Sequence, residues 1–230
     1  LRQLSTNRDA TLSGAKVNVS ENRAALHTAL RASRDTVTKV AGHDVVYDVH
    51  AVLDRVCTFA DGVRAGAVTG ATGEAFRDVV HIGIGGSVLG PAMITQALAP
   101  YQHDHVRSHF VSNVDGAHLH DTLKELDPAT TLFLFAIRGQ GGEVPRDRAL
   151  AERFGISEVR TFGFWDWVGG RYSPWSSIGL PVAIAVGPMR FRELLAGARH
   201  MDEHFASAPL ERNIPVTLGL IGVWHRSVLG

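Results

Sequence analysis

The stretch at residues 79–87 decides the fold class, and it reads Val79-Val80-His81-Ile82-Gly83-Ile84-Gly85-Gly86-Ser87. It begins as a short apolar run, which is typical of a buried β-strand, and it ends in a turn rich in glycine. Ser87 is placed to cap a following helix, and Pro91 fits within the first turn of that helix. The stretch therefore predicts a buried strand, a tight turn and a helix, in that order.

Two more apolar runs of strand length follow along the chain, at residues 108–111 and 131–136. The stretches after Ser87 and after Gly116 have helical spacing, so strands and helices alternate. This alternation predicts an α/β fold with a parallel sheet and helices on its faces. In such folds ligands bind beyond the carboxyl ends of the strands, where the turn at residues 83–87 lies.

Helical patterns flank the predicted sheet on both sides. Ser20 precedes an apolar periodicity that predicts a helix over residues 22–30, and a stronger amphipathic pattern predicts a second helix over residues 45–63. Beyond Pro188 we expect helices to the end of the chain. Their apolar stripes are Phe191, Leu194, Leu195 and Ala198 in one helix and Val216, Leu220 and Val223 in another.

We divide the chain into three parts on these patterns. They are an N-terminal helical segment (1–76), an α/β subdomain (77–187) and a second helical segment (188–230). The sequence starts at Leu1 rather than Met and stops at Gly230 within an apolar helical pattern. We therefore expect a fragment of a longer protein.

Composition narrows the class of protein. Of the 230 residues 45% are hydrophobic and 20% are charged, which favours a globular core over disorder, and no apolar run is long enough to cross a membrane. Basic and acidic residues balance at 23 each, which disfavours nucleic acid as a partner. Cys57 is the single cysteine, so no intrachain disulfide forms and a reducing compartment, the cytoplasm, is expected.

The turn Gly83-Ile84-Gly85-Gly86-Ser87 is a candidate phosphate-binding site. Glycines let a ligand approach the backbone closely, and the N–H groups at the start of a helix attract anions. A dinucleotide fingerprint would need a third glycine where Val88 stands, and no Walker-type lysine follows. The spacing alone fits an ordinary strand-to-helix turn equally well.

The stretch Asp166-Trp167-Val168-Gly169-Gly170-Arg171-Tyr172-Ser173 is the second candidate site. Adjacent glycines before an arginine, with Trp165, Trp167 and Trp175 nearby, would hold a guanidinium in a partly desolvated wall. An arginine held in this way stabilises an oxyanion or binds a phosphate. The alternative is an aromatic packing cluster beside a solvated arginine, and the residues alone do not separate the two.

Taken together, these stretches resemble the glucose-6-phosphate isomerase (phosphoglucose isomerase) family over nearly the whole chain. The similarity lies in residues 166–173 with Trp175-Ser176 and Ile178-Gly179, residues 82–87 with Leu89-Gly90-Pro91, residues 110–116, Arg23-Ala24 with Leu26-His27 and Ala29-Leu30-Arg31, and residues 219–224. The resemblance implies a three-layer sugar-isomerase (SIS-type) parallel sheet with flanking helices. It also implies that the N-terminal segment is helical.

The resemblance implies the interconversion of glucose 6-phosphate and fructose 6-phosphate through an enediolate, with no metal and no organic cofactor. Arg171 would stabilise the enediolate, and Gly86 and Ser87 would contribute to the sugar-phosphate site. His200 and His204, four residues apart, are then packing or surface residues rather than metal ligands. Family members are typically homodimers, and neither nucleic acid nor membrane is an expected partner.

The sequence departs from the family after the third strand. The family carries a Ser-Lys-Thr-Phe-Thr-Thr phosphate loop there, whereas this chain reads Ile137-Arg138-Gly139-Gln140-Gly141-Gly142. Arg138 would supply charge, and Gly139, Gly141 and Gly142 would supply N–H groups, but the hydroxyls are lost, so we expect weak phosphate binding. Only a short arginine-rich segment then leads to residues 154–156, which predicts that the sheet lacks a strand.

The family's base glutamate, ring-opening histidine and late lysine all lie beyond the region that resembles residues 219–224. No residue of this chain is assigned to those roles. We therefore expect that the chain does not isomerise sugar phosphates alone, because a base must lie within hydrogen-bond reach of the proton it removes. The alternatives are a non-catalytic sugar-phosphate-binding module and a decayed gene product with no function.

Overall fold

The computed structural model describes residues 2–136, 151–153 and 155–229. The helices are α1 (Arg2–Leu12), α2 (Val45–Arg64), α3 (Gly86–Ala97), α4 (Gly116–Leu123), α5 (Leu180–Val186), α6 (Pro188–Ser207) and α7 (Ile214–Trp224). The strands are β1 (Lys39–Val40), β2 (His43–Asp44), β3 (Asp78–Ile82), β4 (Arg107–Val111) and β5 (Thr131–Phe135). Short 3-10 helices, among them His27–Leu30 and Gly170–Trp175, connect these elements.

The predicted parallel sheet is confirmed in the described part of the chain. Strands run in the order β4-β3-β5, and Asp78 of β3 pairs in register with Arg107 on one side and Thr131 on the other. The first four residues of β3 are buried, as expected of a central strand in a parallel sheet. The carboxyl ends of all three strands therefore open at one edge, where the turn at residues 83–87 lies.

The core lies between the sheet and a layer of helices built around α5. Every residue of α5 is buried, and α2, α3 and α6 surround it. Gly187, with a φ of +90°, separates α5 from α6. The guanidinium of Arg64, at the end of α2, donates to the carbonyls of Ile184 and Ala185 at 2.7 and 3.0 Å, which satisfies the last turn of α5.

The predicted second helix is α2, which Asp44 caps by accepting from the N–H of Val46 at 3.1 Å. Cys57 is buried on α2 as expected, and burial raises the pKa of its thiol. The later helices are also confirmed as α6 and α7, and Phe191 and Leu195 of α6 are buried. None of the helices in the described ranges has the length and apolar character needed to cross a membrane.

The helix predicted over residues 22–30 is wrong. Asn22 lies in the left-handed region with a φ of +50°, Asn18 forms a β-bridge with Arg23, and only His27–Leu30 is helical, as a 3-10 turn. The Ser20 hydroxyl donates to the Asn18 side chain instead of capping a helix. Contacts with distant residues override the local periodicity here.

Sequence reasoning missed α1, whose residues are mostly polar. This helix contacts α6, and the Arg8 guanidinium donates to the carbonyl of Ala208 at 3.4 Å. The expected missing strand of the sheet stays a prediction, because residues 137–150 lie outside the described residues. The three-part division at residues 1–76, 77–187 and 188–230 likewise remains our proposal.

Candidate functional site

The glycine-rich turn after β3 positions the start of helix α3. Gly85 has a φ of +58°, which glycine adopts at low cost, and the helix begins directly after it at Gly86. The prediction that Ser87 caps this helix is wrong, because Ser87 lies inside its first turn and Gly85 occupies the capping position without any side-chain hydrogen bond. Because Gly85 adopts a positive φ, the turn ends there and the helix begins two residues earlier than a cap at Ser87 would place it.

Two backbone amides where the turn meets α3 have no acceptor among the described residues. The N–H groups of Val88 and Leu89 donate to the carbonyl of Gly85 at 3.1 and 2.9 Å, and that of Ser87 donates to Ile84 at 3.3 Å. The N–H groups of Gly85 and Gly86 donate to no acceptor within the described part of the chain. These amides lie at the positive end of a helix dipole, so the turn is suited to bind an anion.

His81 supports this turn from within the sheet. Its side chain is buried, and its Nε2 donates to the carbonyl of Ser87 at 2.7 Å. Burial lowers the pKa of His81, which keeps the imidazole neutral at pH 7. Sequence reasoning missed this role, although a histidine within an apolar strand was the available signal.

The second candidate stretch lies directly against the first. A Cβ at position 86 would overlap the carbonyl of Gly170 and approach the backbone nitrogen of Arg171, so only glycine allows this contact. The Ser173 hydroxyl donates to the carbonyl of Gly170 at 2.6 Å and lies 3.4 Å from that of Gly86. The structure therefore joins into one site two turns that are far apart in sequence.

Arg171 lies at the solvent-exposed side of the contact between the two turns. Its residue is exposed, and within the described residues its guanidinium has no hydrogen bond and no ion pair. Of the two alternatives left open for this stretch, the described residues favour an aromatic packing cluster beside a solvated arginine over a wall of tryptophans around Arg171. Trp165 and Trp167 stack on each other with ring centroids 5.2 Å apart. The Trp175 ring makes a cation–π contact with the guanidinium of Arg31.

Ala136, the last described residue before the predicted phosphate loop, lies beside the same turn. The N–H of Ala136, just after β5, donates to the carbonyl of Ile82 at 2.9 Å, and a Cβ at Gly83 would lie 3.3 Å from that of Ala136. Arg138, Gly139, Gly141 and Gly142 lie outside the described residues. Their assignment as substrate-binding residues stays a prediction.

The described residues hold no cluster of three or more histidine, cysteine or acidic side chains suited to a metal ion. His204 contributes to helix packing instead, since its Nε2 accepts from the N–H of Ile214 at 3.1 Å, at the start of α7.

Comparison with known proteins gives relatives over almost all of the chain. Glucose-6-phosphate isomerases of Brucella abortus (strain S19) and Brucella suis biovar 1 (strain 1330) are 52% identical over 97% of this chain and 46% of their own length. The chain therefore spans about half the length of the curated relatives it matches. The alignment is 251 positions long against a chain of 230 residues, so the relatives carry residues with no counterpart here.

Solved structures agree on the fold. A glucose-6-phosphate isomerase from Chlamydia trachomatis D/UW-3/Cx superposes with a TM-score of 0.80 at 28% identity, over 100% of this chain and 49% of that one. A hypothetical protein from Thermus thermophilus shares the fold with a TM-score of 0.62 at 22% identity, over 98% of this chain and 53% of that one.

The family model described as phosphoglucose isomerase matches residues 1–140 and 144–230. Its break at 141–143 begins inside the altered loop and ends just after it, and its matched ranges include both turns of the candidate site. The chain belongs to the phosphoglucose isomerase family.

Proposed function

We propose that this chain supplies the arginine-bearing half of a glucose-6-phosphate isomerase active site and binds a sugar phosphate there. The observation that carries the proposal is the backbone contact of Gly86 with Gly170 and Arg171. Through this contact the backbone of Arg171, an exposed residue, lies beside a turn with unused amide donors, which supports an anion site between the two. A guanidinium and unused amides both favour an anionic ligand.

In this proposal the amides at Gly85 and Gly86 and the hydroxyl of Ser87 bind the phosphorylated sugar. Arg138, with the amides of Gly139, Gly141 and Gly142, completes the phosphate site from the loop after β5. Several hydroxyl donors of the family's loop are replaced, and a lost hydrogen bond to an anion weakens binding. The expected affinity is therefore lower than that of relatives with the usual loop.

Arg171 would stabilise the negative charge of the enediolate that forms when a proton moves between neighbouring carbons of glucose 6-phosphate and fructose 6-phosphate. The reaction needs no metal and no organic cofactor. Its proton transfer needs a base within hydrogen-bond reach, and this chain has no residue assigned to that role. The complete enzyme would be a cytoplasmic homodimer, as is typical of the family, and the described chain would not catalyse alone.

Calorimetric titration with fructose 6-phosphate tests the binding site. We expect saturable binding that Arg171→Ala weakens at least tenfold, whereas Arg190→Ala leaves it unchanged. Arg190 is a matched control because its guanidinium lies 4.2 Å from the centroid of the Tyr101 ring, outside both turns. Unphosphorylated fructose should not bind, and equal affinity of the Arg171→Ala variant would refute the proposed site.

A non-catalytic sugar-phosphate-binding module is the second candidate function. It is favoured by the coverage, since the chain matches only 46% of the length of its relatives yet contains both turns. A coupled isomerase assay distinguishes the two candidates. Turnover that requires Arg171, when the chain is mixed with the remaining segment of the Brucella abortus relative, supports a half-enzyme, and binding without turnover supports the module.

A further inference from the structure

Three basic residues of the N-terminal segment lie along the stretch that contains Arg171. They are Arg23, His27 and Arg31, spaced four residues apart in a region that is mostly not helical. Each contacts a different part of residues 166–175. Sequence reasoning used these residues only as part of a family resemblance and gave them no role.

His27 makes the contact nearest to Arg171. Its Nε2 accepts a hydrogen bond from the N–H of Gly169 at 2.7 Å, and its ring lies 4.9 Å from that of Tyr172. Gly169 is the capping residue of the 3-10 helix Gly170–Trp175, which carries Arg171 in its first turn. A Cβ at position 169 would lie 3.3 Å from the same His27 nitrogen, so the backbone packs closely on the ring.

The two arginines hold the ends of the same stretch. Arg23 donates through Nη1 to the carbonyl of Asp166. Arg31 lies over the Trp175 ring at 5.2 Å from its centroid and forms a two-pronged ion pair with Asp202 of α6, at 2.7 Å for each bond. The stretch is thus held at both ends, and His27 provides the attachment between them.

The ring of His27 is neutral at pH 7, as this hydrogen bond requires. Burial, together with the charges of Arg31 and Arg23, lowers the pKa of His27 to about 4, while a hydrogen bond to the backbone of Ala25 and the charge of Asp202 oppose the shift. A neutral imidazole can accept at Nε2, whereas a protonated one has no lone pair there.

We propose that His27 is a positioning residue for Arg171, because its bond to the Gly169 amide fixes the turn that sets the arginine beside Gly86. The inference rests on the proposed sugar-phosphate site, since Arg171 is the group being positioned. A displacement of a catalytic side chain by about 1 Å is enough to reduce activity strongly. A fixed backbone turn prevents such displacement without touching the ligand.

Two variants separate the hydrogen bond from simple packing. His27→Gln keeps an acceptor at nearly the position of Nε2, whereas His27→Leu fills similar space without one. His50→Leu is the matched control, because His50 is also partly buried and donates to a carbonyl, that of Ala32 at 3.1 Å, but forms no hydrogen bond with the described residues 166–175. The three proteins are compared with the unaltered chain.

The first measurement does not depend on any ligand. In 15N-resolved spectra of the whole chain we expect the amides of Gly169, Gly170 and Arg171 to shift in His27→Leu, to stay near their original positions in His27→Gln and to stay unchanged in His50→Leu. The Gly169 amide of the unaltered chain should also titrate with the His27 ring. Unchanged amides in His27→Leu would overturn the proposal.

The second measurement is the affinity for fructose 6-phosphate. We expect His27→Leu to bind about tenfold more weakly and His27→Gln to bind within about twofold of the unaltered chain. Equal affinity of all variants, or equal weakening by His50→Leu, would overturn the positioning role. If the unaltered chain binds no fructose 6-phosphate, the proposed function fails, while the amide spectra still decide whether His27 fixes the turn.

Discussion

Helices α5 and α7 have nearly the same chemistry and opposite surroundings. Both are apolar, both contain a proline in the first turn and neither carries a charged side chain. Every residue of α5 is buried, whereas no residue of α7 is. The exposed large apolar residues of α7 and the turn after it are Ile214, Leu218, Leu220, Ile221, Val223, Trp224, Val228 and Leu229.

The difference arises from neighbours rather than from composition. Helix α5 is surrounded by α2, α3 and α6, while α7 contacts α6 and the turns that precede and follow it. Asn213 caps α7 and donates to the carbonyl of Phe205 at 2.9 Å, so the helix is attached mainly at its start. An apolar sequence therefore favours burial, but only other elements of the fold provide it.

The largest expected effect contrasts one isoleucine in each helix. Ile184 of α5 is fully buried, so Ile184→Ala should lower the free energy of unfolding by about 2–5 kcal/mol through the cavity it leaves. Ile221 of α7 is 48% exposed, so Ile221→Ala should lower it by less than about 1 kcal/mol. Urea unfolding measures both, and similar losses would show that α7 is buried in solution.

The second contrast uses glycines. Gly86→Ala should destabilise the fold by about 1–3 kcal/mol, because its Cβ would overlap the backbone at Gly170. Gly222→Ala in α7 meets nothing within 4 Å and should stabilise the helix by about 0.5–1 kcal/mol. Thermal unfolding shows whether each variant is less or more stable than the unaltered chain. A Gly86→Ala protein of unchanged stability would contradict the close approach of the two turns.

The third contrast is pH dependence, since α7 has no titratable side chain whereas His27 is partly buried against residues 169 and 172. The pKa of His27 is lowered from 6.5 to about 4, so the unfolded chain takes up the proton first and stability falls as the pH drops from about 6.5 toward 4. We expect His27 to account for about 1–2 kcal/mol of that loss between pH 7 and 4.5, because solvent reduces the full effect of its partly exposed ring.

Unfolding in urea at both pH values measures this loss. His27→Gln removes the titrating group and should flatten the pH dependence by the same amount. An unchanged slope in that variant would assign the effect to other groups, such as His81, whose pKa burial also lowers.

The smallest expected effect on stability is that of Leu220→Gln in α7. Leu220 is 51% exposed, so the change should alter the free energy of unfolding by no more than about 0.5 kcal/mol. The same change should reduce self-association and the binding of a hydrophobic dye, because large exposed apolar patches promote both. Sedimentation at several concentrations measures association, and a loss of stability above this range would contradict the exposure of α7.

The sequence predicted the sheet and its main helices well, for a local reason. Apolar runs such as residues 79–82 and the amphipathic pattern of α2 match one regular conformation over their whole length. The helix over residues 22–30 failed because Arg23 and His27 are engaged by residues 166 and 169, which no local pattern reveals. The capping role given to Ser87 failed because the positive φ of Gly85 moved the start of α3.

The sequence by itself determined the fold class, the family and the two turns, because glycine spacing and apolar periodicity are local properties of the amino-acid order. Only the tertiary structure decided that Gly86 lies against Gly170 and Arg171, and that His81 and His27 support the two turns. It alone also separated the buried α5 from the exposed α7. The physical reason is that contacts between distant residues, and burial itself, depend on which elements pack together and not on local composition.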